Sequence, residues 1–173
     1  GYTGPIYCTS PTAEIARIEM EDCGKINEED AEFKRLRHER EGRQGPHKEE
    51  PLYTAEEAAD VVQYFVPVEY GRPQEIGEGV RIEFINVGHI LGAGACRVTI
   101  TQGNETRKIV FSGDVGRWDM PILQDPSPVG PADYLLVEST YGNRLHGQTS
   151  DIPGELAEII NSTTEAGGNI VIP

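Results

Sequence analysis

Between residues 80 and 142 the chain runs through a series of apolar strands. Three of them end in a turn that carries glycine and one ionisable side chain. The turns are Asn86-Val87-Gly88-His89-Ile90-Leu91-Gly92, Phe111-Ser112-Gly113-Asp114-Val115-Gly116-Arg117 and Val137-Glu138-Ser139-Thr140-Tyr141-Gly142. Val80, Ile82 and Phe84 alternate with Arg81 and Glu83, so Val80 to Val87 is predicted as a strand with one apolar side. Cys96, Val98 and Ile100 share a face of a second strand. Gln102-Gly103-Asn104-Glu105 then turns the chain, and Lys108 to Phe111 returns as a third strand. Tyr134 to Val137 reads as a buried apolar strand. Rigid strands aim side chains and the loops beyond them leave room for substrate, so the ends of such strands collect active sites.

Shorter signals surround this pattern. Ile6-Tyr7-Cys8 is a brief strand. Ser10 and Pro11 stand as cap and first helical residue of a helix predicted to end near Gly24, with Ile15, Ile18 and Met20 on its apolar face. Residues 24–50 are dense in mixed charge, with Phe33 and Leu36 the only large apolar residues after Ile26. A solvated helix and a mobile loop around Gly42, Gly45 and Pro46 account for them; a flap beside a substrate entrance is the functional alternative. Thr54-Ala55-Glu56-Glu57 is a capping box opening a helix through Ala58, Val61, Val62 and Phe65. Asp151 or Ser150 caps a last helix through Leu156, Ile159 and Ile160. Gly167-Gly168 ends it, and Ile170-Val171-Ile172 is predicted to begin a strand.

Charge narrows the function classes. Fifteen Lys and Arg against 29 Asp and Glu give a formal charge of −14 over 173 residues, which repels phosphate at long range. That argues against an ordinary basic-patch nucleic-acid binder but does not exclude a site where metal supplies the positive charge. No apolar run approaches the roughly 18 residues of a membrane span, and residues 1–5 carry no signal-peptide pattern. Cys8, Cys23 and Cys96 are an odd number without a C-x-x-C pair. They argue against a disulfide framework and for a reducing, cytoplasmic setting.

The three turns suit metal chemistry. A neutral imidazole is a good zinc ligand, and a carboxylate can bridge two cations. Two metals about 3.5–4 Å apart hold a hydroxide and polarise a phosphoryl oxygen. His89 and Asp114 would form half of such a site, with Glu138 orienting a ligand or steering a proton. Each residue also has a structural reading: His89 as a hydrogen-bonded side chain, Asp114 as a turn residue accepting backbone N–H bonds, and Glu138 as a cap. Spacing alone leaves both open.

Taken in order, Gly88-His89-Ile90-Leu91-Gly92-Ala93, Phe111-Ser112-Gly113-Asp114-Val115-Gly116-Arg117 and Glu138-Ser139-Thr140-Tyr141-Gly142 resemble consecutive motifs of the metallo-β-lactamase-fold RNA nucleases that carry a β-CASP domain, in particular the bacterial-type members. Gly4-Pro5-Ile6-Tyr7, residues 25–32, Pro51-Leu52-Tyr53-Thr54 and Pro121-Ile122-Leu123 extend the resemblance over nearly the whole chain. It implies an α/β fold: the later part of a metallo-β-lactamase (αββα sandwich-like) domain over residues 1–150, then the first helix and strand of a β-CASP domain over 151–173. It implies His89 as a zinc ligand, Asp114 as a residue bridging two Zn2+ ions and acting in catalysis, and Glu138 as catalytic by pairing with a downstream His that assists proton transfer to the leaving group. It implies RNA as the partner, phosphodiester cleavage by a metal-bound hydroxide, endo- or exonucleolytic, no membrane, and a homodimer as one open assembly.

The departures shape the expectation as much as the matches. The family's His-x-His-x-Asp-His cluster is absent, and its two later His motifs have no counterpart, so only His89 and Asp114 remain of the usual ligands. The chain is therefore expected to be an internal fragment lacking upstream and downstream parts of the enzyme, binding zinc weakly or not at all, inactive alone, and sticky from uncovered apolar surface. Asn86 stands where bacterial relatives often have Asp. His146 is left as structural or substrate-proximal, and His38 and His47 are expected to be solvated. Two rivals are a small-molecule metallo-hydrolase of thioesterase or lactamase type and a non-catalytic degenerate paralogue.

Overall fold

A computed structural model describes residues 2–140, 142–143 and 151–172. In chain order the elements are β1 (Ile6–Cys8), α1 (Ser10–Glu41), α2 (Ala55–Val61), a 3-10 turn (Val62–Tyr64), β2 (Phe65–Pro67), β3 (Gln74–Gly77), β4 (Val80–Asn86), β5 (Gly94–Gln102), β6 (Glu105–Phe111), β7 (Tyr134–Leu136) and α3 (Ile152–Glu165). The architecture is mixed α/β, as expected. β1 and β2 pair in parallel. The other strands form one sheet in the order β3-β4-β5-β6-β7, antiparallel as far as β6 and parallel between β6 and β7. The chain divides into two compact units, Gly1–Glu138 and Ser139–Pro173.

Register decides which side chains share a face. Ile82, Phe84, Cys96, Val98, Ile109 and Phe111 fall on one side of the large sheet, carrying through the predicted alternation. Ile85, Ala95 and Val110 fall on the other and form its most buried cluster with Val87, packed against Ala93 and Val129. Full burial of a side chain such as Val110 contributes about 1.5–3 kcal/mol. On this second face Arg97 pairs with Glu83 at 2.9 Å and donates to the Val129 carbonyl. That holds the segment through residues 124–130 down on the core.

The long helix corrects the sequence reading. α1 does not end near Gly24 but continues to Glu41, where Gly42 caps it in a left-handed conformation. Gly24 lies where α1 meets the start of α2, and a Cβ there would sit 2.7 Å from the Ala55 Cα. It is glycine for close approach, not for termination. Glu28 Oε2 accepts the Ala55 N–H at 3.2 Å beside it. The polar second half of α1 is laced by Arg35 to Glu32 and Glu39 and by Arg37 to Glu41, pairs worth a few tenths of a kcal/mol each. The N-cap is Thr9, one residue before the Ser10 expected.

Other corrections have equally local causes. The Thr54–Glu57 capping box forms, but the helix closes through the 3-10 turn, and Phe65 opens β2 because it pairs with Ile6. β3 was not anticipated: its mostly polar, exposed sequence fits an edge strand with no buried face to pattern it. β7 forms but is not buried. Tyr134, Leu135, Leu136 and Val137 are 52–62% exposed, and β7 is the edge strand, bonded only to β6. Residues 170–172 form no strand; no described strand pairs with them. His38 is not solvated. Its ring is 16% exposed and Nδ1 meets Glu49 Oε1, a contact that holds the Glu49 carboxyl below the usual range. His47 is exposed, as expected.

In the second unit, Asp151 rather than Ser150 supplies the α3 cap, its Oδ1 accepting the Gly154 N–H at 3.0 Å. Leu156, Ile159 and Ile160 are exposed along the helix. Among the described residues no helix is long and apolar enough to cross a membrane.

Candidate functional site

The sheet topology gathers the three polar turns. β4, β6 and β7 all run toward the same edge, since β5 is antiparallel to both neighbours and β7 is parallel to β6. The carboxyl-terminal ends of these strands therefore lie on one side of the sheet. His89 Nε2 lies 3.8 Å from Asp114 Oδ2, and both side chains reach solvent at 44% and 71% exposure. Glu138 Oε1 accepts the N–H of Val115, next to Asp114, at 2.9 Å. The Glu138 N–H in turn reaches Ser112 Oγ at 3.2 Å. All three predicted residues thus converge. His146 and Tyr141 lie outside the described residues.

Each end of the His89 turn is fixed. At its start, Asn86 Oδ1 accepts the Gly88 N–H at 3.1 Å, and Asn86 Nδ2 donates to the Asp125 carbonyl at 3.4 Å. The second contact needs an amide donor, so an aspartate at this position would lose it. At its end, the Gly92 carbonyl accepts from Thr9 Oγ1 at 2.8 Å and Thr12 Oγ1 at 3.0 Å, and the Ala93 carbonyl accepts from Tyr70 at 2.9 Å. Thr9 thus caps α1 and ties the helix to the turn at once. Thr9→Val, which keeps the shape and removes the hydroxyl, should cost about 1–2 kcal/mol. A denaturant midpoint unchanged from the parent chain would refute this.

The Asp114 turn locks onto the His89 turn through backbone. The Gly116 N–H donates to the Val87 carbonyl at 2.8 Å. A Cβ on Gly116 would lie 1.9 Å from the Gly88 oxygen and 2.5 Å from the His89 nitrogen, so nothing larger than glycine fits. Sequence reasoning selected the ionisable residues but missed Gly116, Thr9 and Asn86 as the parts that align them. Only Asn86 carries a local signal, an Asn two residues before a glycine, the pattern of an Asx-turn.

The donor set suits a first-row divalent cation. Zinc bonds of about 2.0–2.2 Å let two donors of one ion stand up to about 4 Å apart, and the His89–Asp114 separation satisfies that. Yet among the described residues no group of three or more His, Cys, Asp and Glu is placed to hold a metal. A catalytic zinc takes about three protein ligands, so these two residues alone would not complete such a site.

Over nearly its whole length the chain is similar to proteins of the β-CASP metallo-β-lactamase family. It is 31% identical over 173 residues to ribonuclease TTHA0252 of Thermus thermophilus, covering all of this chain and 34% of that protein. It is 26% identical over 177 residues to the transcription termination factor FttA of Methanocaldococcus jannaschii, covering 25% of it. It is 27% identical over 171 residues to an RNase J-like protein of the same organism, covering 34% of it. The chain thus spans about a quarter to a third of the length of these relatives. No family model matches it.

Proposed function

We propose that the full-length protein containing this chain is a zinc-dependent, RNA-processing nuclease of the cytoplasm that cleaves phosphodiester bonds. The observation that carries this reading is the approach of His89 Nε2 to Asp114 Oδ2 at 3.8 Å, with Glu138 bonded one residue away. The names of the relatives support RNA as the substrate class. His89 would bind one zinc through Nε2, and Asp114 would bridge to a second through its carboxylate. Bound zinc would supply Lewis-acid polarisation of the phosphoryl group and water of lowered pKa. Glu138 holds the Asp114 turn through Val115 and would help deliver a proton to the leaving oxygen. Gly116 and the Thr9–Gly92 contact keep the ligands at working distance without touching substrate.

The remaining ligands would come from parts of the protein outside this chain, so the 173 residues alone should be inactive. Chelation is the direct test. Stripping metal from the full-length protein should lower RNA cleavage at least about a hundredfold, since the metal supplies several kcal/mol of transition-state stabilisation. Zinc should restore it. Undiminished cleavage after verified metal removal would overturn the reading.

A further inference from the structure

We infer that Trp118 is a stacking platform for a nucleobase of the substrate, close to the phosphate that is cleaved; this rests on the nuclease reading above. Trp118 is the sole tryptophan of the chain, and it is 64% exposed. A large ring left in water contributes little to the core, yet its backbone is held on both sides. Gly116 is bonded to Val87 and wedged against Gly88. Asp119 donates its N–H to Asp125 Oδ1 at 2.8 Å and takes φ 59°, a left-handed conformation rarely adopted by a non-glycine residue. Strain of this kind persists where the surrounding structure over-determines the backbone, as it does at ligand-binding segments.

Position and charge point to a base. Trp118 is four positions after Asp114, a backbone span of at most about 14 Å, which keeps it near the candidate metal ligands. Across the His89 turn, Ile90 and Leu91 are also exposed, at 58% and 57%, so apolar surface flanks the ligand pair on both turns. The formal charge of −14 denies the chain the usual route to RNA affinity, multiple Lys and Arg contacts with phosphate. Stacking is indifferent to that charge, because every base presents a π face whatever its sequence. A tryptophan clamped beside an acidic site therefore contributes the kind of binding this surface can still make, and it implies tolerance of base identity.

The test uses the full-length protein and a short RNA of defined cleavage position, with a single abasic nucleotide walked across that position. Trp118→Ala should raise KM about tenfold with kcat within about twofold, and Trp118→Phe should keep most of the affinity. One abasic position should raise the KM of the unsubstituted protein to a similar degree and add nothing to Trp118→Ala. Unchanged KM in Trp118→Ala, or a loss that adds fully to that of every abasic RNA, overturns the inference and leaves the nuclease reading standing. Absence of RNA cleavage by the unsubstituted protein overturns both.

Discussion

Replacing Asp114 by alanine in the full-length protein should lower RNA cleavage by about a thousandfold or more while leaving the fold intact. The size follows from the role proposed for it. A carboxylate shared by two cations would be lost, and metal chemistry contributes several kcal/mol at about 1.4 kcal/mol per factor of ten. The preserved fold follows from geometry. The Asp114 side chain is 71% exposed, and substitutions at such positions usually move stability by less than about 0.5 kcal/mol. The paired measurement is initial cleavage rate and thermal midpoint of the same preparation. A variant that cleaves at the normal rate would remove Asp114 from the site; one that unfolds would show a structural role that the exposed carboxylate does not suggest. His89→Ala should behave alike if both residues serve one centre. The two losses should be far from additive when combined, because residues acting as a unit fail together.

Gly116→Ala should produce the largest stability change of any single methyl added to the site. The new carbon would lie 1.9 Å from the Gly88 oxygen, and that neighbour is backbone, not the end of a flexible side chain. Overpacking a rigid contact costs about 1–3 kcal/mol, occasionally more, and this overlap belongs at the upper end. The same substitution pushes the His89 and Asp114 turns apart, so metal affinity should fall together with the unfolding midpoint. Gly77→Ala is the matched control. Like Gly116 it is not left-handed, but nothing lies within 4 Å of its added carbon. A Gly116→Ala midpoint equal to that of the control would mean that the two turns do not interlock.

Gly116 and Gly24 also mark the limit of what could be read from sequence. Elements with local causes were legible: the Thr54 capping box, the alternation of Val80 to Phe84, the turn at Gly103, and the three polar residues at strand ends. What failed depended on partners distant in sequence. Gly24 looks like a helix stop until Ala55 is seen against it, and Gly116 looks like any turn glycine until Gly88 is. Tyr134 to Val137 has the composition of a buried strand, but burial is a property of what covers a strand, and these residues are exposed on the sheet's edge. His38 lies in a charge-dense stretch and still finds Glu49 across a loop. The candidate site was more legible than the fold around it. The chemistry lies in residue types within short turns, whereas the alignment lies in backbone contacts with no compositional trace.

The tie between Thr9 and Gly92 bears on how the molecule assembles. The two residues are 83 apart in the chain, whereas β5 and β6 meet across a two-residue turn. Loop-closure entropy grows by about 0.6 kcal/mol with each doubling of length, so joining the helix to this turn costs about 2 kcal/mol more than closing a loop of roughly ten residues. The meander can organise on its own local contacts. The amino-terminal segment has to travel back before the His89 turn is fixed, so the His89–Asp114 geometry should be a late product of folding and not its nucleus.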